Sequence, residues 1–254
     1  MSGARKLDYR CVTAYHSLRM ATNEIEIATG LETAPTLSRS PVVQITKSGA
    51  KICTGEEQIA VLRQRFDEQH WLLLPNFADS ALLDLLDRKL IETEYQVVDR
   101  ETGVELRPID CTAYLAAELL LNSPQLFRGI ERLTGCATIA CFSGRIYRRP
   151  ASSEYFNRWH TDVNDDGRMI ALSINLSKEP YEGGALQIRS AESKQLLCRV
   201  ANPRYGDALV FPVDERFEHR VGQVEGNTAK TALAGWFRSK FDPNSLFGRG
   251  YRAF

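Results

Sequence analysis

The sequence predicts an α+β protein with a mainly β core: helices in the first half, then a sandwich or barrel of short strands. Two observations predict it. Helical apolar spacing recurs between Thr54 and Leu133, and after Gly135 it gives way to short β-prone runs. Pro150, Gly167, Gly183-Gly184, Pro203, Gly206, Pro212 and Gly226 punctuate those runs, the turn chemistry of many-stranded folds. A length of 254 residues with 43% hydrophobic and 25% charged side chains fits one large domain, or two small ones, with an ordinary core.

The elements follow in order. Asn23 to Ile27 alternates like a short strand, and Pro35 and Pro41 flank a loop. Val42 to Thr46 and Lys51 to Cys53 surround a Gly49-containing turn and predict a hairpin. Thr54 with Glu57 has the capping-box pattern, opening a helix with its stripe at Ile59, Val61, Leu62 and Phe66. His70 to Leu74 reads as a buried strand ended by Pro75, and Asp79 or Ser80 caps a helix carrying Leu82, Leu83, Leu85, Leu86 and Leu90. Tyr95 to Val98 is β-prone. Ala113 to Leu121 and Pro124 to Leu133 are helical, with Ser123 as a cap and Pro124 at a first helical position. The strands that follow are Thr138 to Tyr147, Met169 to Leu176, Ala185 to Arg189, Leu196 to Val200, Ala208 to Phe211, Arg220 to Val224 and Thr231 to Phe237. Phe241 to Phe254 reads as an irregular tail. Residues 1–53 are expected to form an arm packed on a main domain of 54–254, with the β core at about 138–239.

Thirty-two basic residues balance 32 acidic ones, so no global field attracts nucleic acid or an anionic membrane. No apolar run approaches the roughly 20 residues that span a bilayer, and Met1 to Asp8 lacks a signal-peptide core. Six scattered cysteines without a C-x-x-C pair read as reduced, mostly buried thiols. The expectation is a cytoplasmic protein without nucleic-acid or membrane partners; nothing in the sequence sets its oligomeric state.

Chemistry concentrates at Arg158-Trp159-His160-Thr161-Asp162. On a strand, residues i and i+2 share a face, which sets an imidazole beside a carboxylate. His219, several strands later, completes a 2-His-1-carboxylate set, the ligand face of non-haem Fe(II) oxygenases. The same donors also suit Zn²⁺, so a zinc hydrolase is an alternative, as is a non-catalytic binding module. Of the other histidines, His16 and His70 carry no assigned chemistry.

Around this set lie Tyr181 to Leu186, Gly206 to Phe211 and Lys230 to Phe237, in that order. Together with H-x-D and the distal histidine, they resemble the prolyl-4-hydroxylase-like branch of the 2-oxoglutarate and Fe(II)-dependent dioxygenases. The resemblance spans roughly residues 138 to 239, with a looser match at 70 to 92. It implies a double-stranded β-helix, a cupin-like jelly roll with flanking N-terminal helices. It implies Fe(II), 2-oxoglutarate as cosubstrate, O₂, and ascorbate as activator. It makes His160, Asp162 and His219 both the metal ligands and the catalytic set, and Lys230 the partner of the far carboxylate of 2-oxoglutarate. Tyr147, or Tyr155 within the long approach from Arg148 to Trp159, would donate to that carboxylate, with Thr231 as a further donor. Arg158 and Arg145 are candidate substrate-binding cations. The implied reaction hydroxylates a peptide side chain or amino-acid-like substrate and releases succinate and CO₂. The alternative within the family is tailoring of a small natural product by hydroxylation, desaturation or cyclisation.

Overall fold

A computed structural model describes residues 25–26, 39–155, 157–164 and 167–241. The expected loop around Pro35, His16, Cys11 and nearly all of the tail from Phe241 onward lie outside the described residues. In chain order the elements are β1 (Ile25–Glu26), β2 (Val43–Thr46), β3 (Gly49–Ile52), α1 (Glu56–Gln69), β4 (Leu72–Leu74) and α2 (Ser80–Glu92). They continue with β5 (Tyr95–Arg100), β6 (Gly103–Pro108), α3 (Thr112–Leu121), α4 (Pro124–Thr134), β7 (Cys141–Arg149), β8 (Arg168–Asn175) and β9 (Glu182–Gly183). The last are β10 (Leu186–Ser190), β11 (Leu196–Val200), β12 (Ala208–Pro212), β13 (Phe217–Val221), β14 (Val224–Glu225) and β15 (Lys230–Arg238).

Seven strands form a large sheet in the order β4-β12-β8-β15-β7-β6-β5, and four form a small one in the order β1-β11-β10-β13. Strand alternation assigns each face of the large sheet its own partner. Ile170, Leu172 and Ile174 of β8, with Ala208 and Val210 of β12, join the helices in one core that includes Leu62, Leu82, Leu121 and Ile130. Their alternating neighbours Ala171, Leu209 and Phe211 face the small sheet and pack with Leu186, Ile188, Val200 and Val221. Two facing sheets with helices on one outer side are the double-stranded β-helix that the sequence implies.

Where β7, β15 and β8 cross the middle of the large sheet, close approach is built in. Gly144 and Gly235 are opposite each other. A Cβ on Gly235 would lie 2.4 Å from the Ser143 carbonyl oxygen and 2.6 Å from Phe142 Cζ. Because one obstacle is backbone, Gly235→Ala is expected to destabilise the fold by about 3 kcal/mol. Thermal unfolding checks this, and an unchanged Tm would refute the packing argument.

Several expectations need correction. α1 has Gly55 at its N-cap position with no side-chain bond, so Thr54 does not cap it. Asp79 does cap α2, accepting from Leu82 N at 2.8 Å. β6 was not foreseen: Glu101-Thr102 turns the chain back, and β6 inserts between β5 and β7. The strand expected at Arg220 to Val224 lies earlier, as β13, because Val224 instead pairs with Gly183. Cys53 and Cys111 are exposed, so the thiols are not mostly buried; Cys141 and Cys198 are, and all five described cysteines are free. No described helix is long and apolar enough to cross a membrane.

Candidate metal centre

His160 and Asp162 do not lie on a strand. His160 forms a single antiparallel bridge to His219 of β13. Each backbone N–H donates to the other's carbonyl, at 3.2 and 2.9 Å. Such a doubly bonded pair places the two side chains on one face, and their ring centroids are 4.4 Å apart. Asp162 then curls beneath them, with Oδ2 3.2 Å from His219 Nε2 and Oδ1 3.7 Å from His160 Nε2. The three ligand atoms lie within 4.8 Å of one another, a donor set that fits a divalent ion with open positions.

Each ligand is held from outside. His160 Nδ1 donates to the Arg158 carbonyl at 2.7 Å, which leaves Nε2 free to ligate. Burial and the neighbouring His219 ring push the His160 pKa down, favouring the neutral, ligating imidazole. Burial alone would raise the Asp162 pKa, but hydrogen bonds from His219 and Trp236 outweigh it and hold the carboxyl well below the usual range. The Trp236 indole donates to Oδ2 at 2.8 Å, and the Arg168 guanidinium sits 3.8 Å above that indole. Phe211 packs against His219 at 5.0 Å. Trp159 is sandwiched between Arg189 and Arg220, at 4.1 and 4.6 Å, which ties the ligand segment to the small sheet.

A cavity of about 470 Å³, including its open mouth, contains the triad, Arg145, Tyr147, Arg149, Phe211 and Trp236. It exists because the inward positions of β8 and β15 are small: Ala171, Ser173 and Ala234 line it. A second, smaller cavity shares Ser173 and Leu186 with the first and adds Tyr181, Asn175, Ala232 and Lys230. The Lys230 ammonium is buried and donates to the Gly184 carbonyl at 2.7 Å. Burial, then repulsion from Arg149, lowers its pKa to about 7. Among the described residues no carboxylate meets it. Close by, the buried Tyr181 hydroxyl and Arg149 Nε have no hydrogen-bond partner. Orphaned polar groups beside an uncompensated cation are what an anion's binding site presents when its ligand is absent.

The structure thus gathers His160, Asp162, His219, Tyr147 and Arg145 at one cavity and Lys230 at the adjoining one. It does not bring in three other candidates. Tyr155 stands in the turn before Asn157 and lines neither cavity. Arg158 is exposed and contributes its carbonyl instead. Thr231 follows Lys230 by one residue, so alternation turns its hydroxyl to the opposite face, where it accepts from Arg148 Nε at 3.1 Å. Nor is the approach to the triad a free loop. Asn157 is buried, its side-chain oxygen accepts from Val221 N and from Arg149, and Arg158 N donates to the Thr102 carbonyl.

Sequence reasoning missed Arg149, Tyr181, Trp236 and Glu105. Arg149 was findable, since it continues the i, i+2 alternation of Arg145 and Tyr147 on one strand. Trp236 and Glu105 act across strands, and no local spacing announces such contacts.

Residues 145–238 match the family model described as the 2OG-Fe(II) oxygenase superfamily. No curated protein sequence matches the chain. Among solved structures, the chain is similar to an oxidoreductase of the 2OG-Fe(II) oxygenase family from Burkholderia pseudomallei, at 19% identity and TM-score 0.54, covering 77% of this chain and 95% of that one. It is similar to a Pseudomonas putida prolyl-4-hydroxylase at 22% identity and TM-score 0.53, covering 72% and 100%. It is also similar to the non-heme alpha ketoglutarate dependent epimerase SnoN from nogalamycin biosynthesis, at 13% identity and TM-score 0.55, covering 71% and 82%. The match over residues 145–238, which carry the triad, and the shared prolyl-hydroxylase-like fold support an oxygenase of the 2OG-Fe(II) superfamily, a family that implies dependence on Fe(II) and 2-oxoglutarate.

Proposed function

We propose that the protein is a 2-oxoglutarate-dependent Fe(II) dioxygenase that hydroxylates an unactivated C–H bond of a peptide side chain or amino-acid-like substrate. Succinate and CO₂ are the co-products. The observation that carries this reading is the buried Lys230 ammonium, with the unpartnered Tyr181 hydroxyl in the same cavity, which adjoins the triad's cavity and shares Ser173 and Leu186 with it. A metal site alone does not need such a pocket, whereas a dicarboxylate that spans from metal to cation does.

His160, Asp162 and His219 would hold the Fe(II). The bound iron supplies the redox chemistry that couples O₂ to the decarboxylation of 2-oxoglutarate. This chain's residues do the rest. Lys230 and Tyr181 hold the far carboxylate, Arg149 adds positive charge across the strand pair, and Trp236 fixes Asp162. Tyr147 and Phe211 wall the cavity and limit water, so the target C–H bond is positioned by packing. In this reading residues 54–254 form the oxygenase domain. The preceding hairpin, with Val43 and Ile45 buried in the helix-side core, braces it.

Tailoring of a small natural product, by hydroxylation, desaturation or cyclisation, is the second reading, favoured by a cavity sunk between the two sheets. A zinc hydrolase is disfavoured because, among the described residues, the only carboxylate lining the triad's cavity is Asp162 itself, which leaves no second carboxylate as general base.

The expected result is tight binding of 2-oxoglutarate to Mn(II)-loaded protein by calorimetry. With Fe(II) and ascorbate, 2-oxoglutarate should then give O₂-dependent succinate. Failure of the metal-loaded protein to bind 2-oxoglutarate would sink the proposal.

A further inference from the structure

Arg145 and Arg149 line the triad's cavity, and Lys230 lines the adjoining one. Arg145 and Arg149 share one carboxylate with Arg107 of β6. That carboxylate is Glu105 of β6, which is buried. It accepts from Arg145 Nε at 2.7 Å and Nη2 at 3.3 Å, and from Arg107 at 2.6 Å. Arg149 lies 3.7 Å from it. Burial alone would raise the Glu105 pKa, but Arg145 and then Arg107 outweigh it and hold it at about 2, so it stays ionised. Even so, one negative charge serves three guanidiniums, and the cavity retains excess positive charge.

2-Oxoglutarate cannot absorb all of that excess. Its far carboxylate belongs to Lys230, whose cross-strand neighbour is Arg149. Arg145 lies four residues from Arg149 on the same strand face, about 13 Å along β7 at the usual rise per residue. A cosubstrate anchored at Lys230 therefore leaves Arg145 unmatched. Glu105 grips Nε and Nη2 of Arg145, which leaves Nη1 without a partner in a side chain that is 24% exposed. The guanidinium stands 5.7 Å from the rings of both Tyr147 and Trp236. It is a fixed, charged donor framed by two aromatic walls, beside the ligand carboxylate that Trp236 holds.

We propose that Arg145, oriented by Glu105, is the receptor for a carboxylate on the primary substrate, so that the enzyme acts on acids rather than on neutral side chains. The inference rests on the dioxygenase reading above. Arg145 contacts the substrate, and Glu105 is a positioning residue that acts through it. A rigid, pre-oriented guanidinium recognises a planar carboxylate at low entropic cost. The carboxylate belongs either to a free acid or to an acidic side chain of a peptide.

The test uses the full chain loaded with Mn(II) and saturated with 2-oxoglutarate. Paramagnetic broadening of probe protons reports binding close to the metal. The probes are acetate, butyrate and benzoate against their primary amides, and a blocked glutamate-containing peptide against its glutamine counterpart. The expected result is preferential broadening of the charged member in at least one series, by about tenfold in affinity. Preference in the free-acid series identifies a small-molecule source, and preference in the peptide series an acidic peptide. Arg145→Gln should abolish the preference and leave 2-oxoglutarate affinity unchanged. Because Arg145→Gln strands the buried Glu105, Arg145→Lys serves as the second variant. It keeps the charge, loses the fork, and should show an intermediate preference with a near-native melting profile. Equal broadening of acids and amides, or none of either, overturns the proposal. So does a preference that survives in Arg145→Gln. A loss of 2-oxoglutarate affinity in that variant also overturns it, since Arg145 would then serve the cosubstrate. If the wild type itself fails to bind 2-oxoglutarate, the dioxygenase reading falls and takes this inference with it.

Discussion

Replacing His219 by alanine is expected to eliminate specific Mn(II) and Fe(II) binding and, with it, succinate release. The loss should exceed the 10- to 100-fold that removal of a mere outer-shell partner typically causes, because a ligand itself is gone. The fold should survive. His219 holds its place in the sheet through backbone bonds to the His160 N–H and carbonyl, and alanine makes both. The side chain's other contacts are the His160 and Phe211 rings and Asp162. A calorimetric Mn(II) titration alongside a melting curve separates the two effects. Retained metal affinity in a folded His219→Ala protein would remove His219 from the ligand set.

Lys230→Met should weaken 2-oxoglutarate binding by roughly 10- to 100-fold, the range for losing a hydrogen bond to a charged partner. It should do so with little change in metal affinity, since Lys230 lies in the neighbouring cavity. The variant also carries a pH signature. In the folded protein the Lys230 pKa is lowered to about 7, against roughly 10.4 for an unfolded lysine. Between those values the unfolded chain binds more protons than the folded one, so this residue makes stability rise with pH across that window. Below about pH 7 the full penalty of a buried ammonium is present. The melting temperature of Lys230→Met should therefore exceed that of the wild type most at or below neutral pH, and the gap should close towards pH 10. Cosubstrate binding has the opposite slope. Wild-type affinity should fall as pH rises through about 7 and the ammonium is lost, and the affinity of Lys230→Met should be flat there. Unchanged 2-oxoglutarate affinity in Lys230→Met would instead make Arg149, its cross-strand neighbour, the anchor.

Both predictions rest on residues visible in the sequence, and the reason is physical. A metal set needs rare residue types, so H-x-D and one distal histidine stand out among only four histidines. Short β-prone runs between Gly and Pro are equally legible, which is why strands were expected over β8 and β12. The geometry behind H-x-D was different from its local reading. The sequence pattern pointed to one strand presenting His160 and Asp162 together, whereas a single bridge between His160 and His219 organises the pair, and Asp162 is placed by Trp236. Thr231 shows the same limit from the other side. It is adjacent to Lys230 in the chain, yet one residue of alternation sends it to the wrong face.

From the amino-acid order alone came the division into helical and stranded halves and the three ligand types in their order; the family resemblance, not the order, pointed to Lys230, and the fold buries it. The first two depend on local periodicity and on side-chain chemistry, which a chain carries wherever it goes. Only the tertiary structure decided which polar groups share the interior. Glu105 meets Arg145 because the unforeseen β6 inserts beside β7, and Tyr181 faces Lys230 because a turn returns to the same cavity. Such encounters are set by strand order and register, between residues far apart in sequence. They are what set a buried lysine and a fixed guanidinium around a metal-binding pattern.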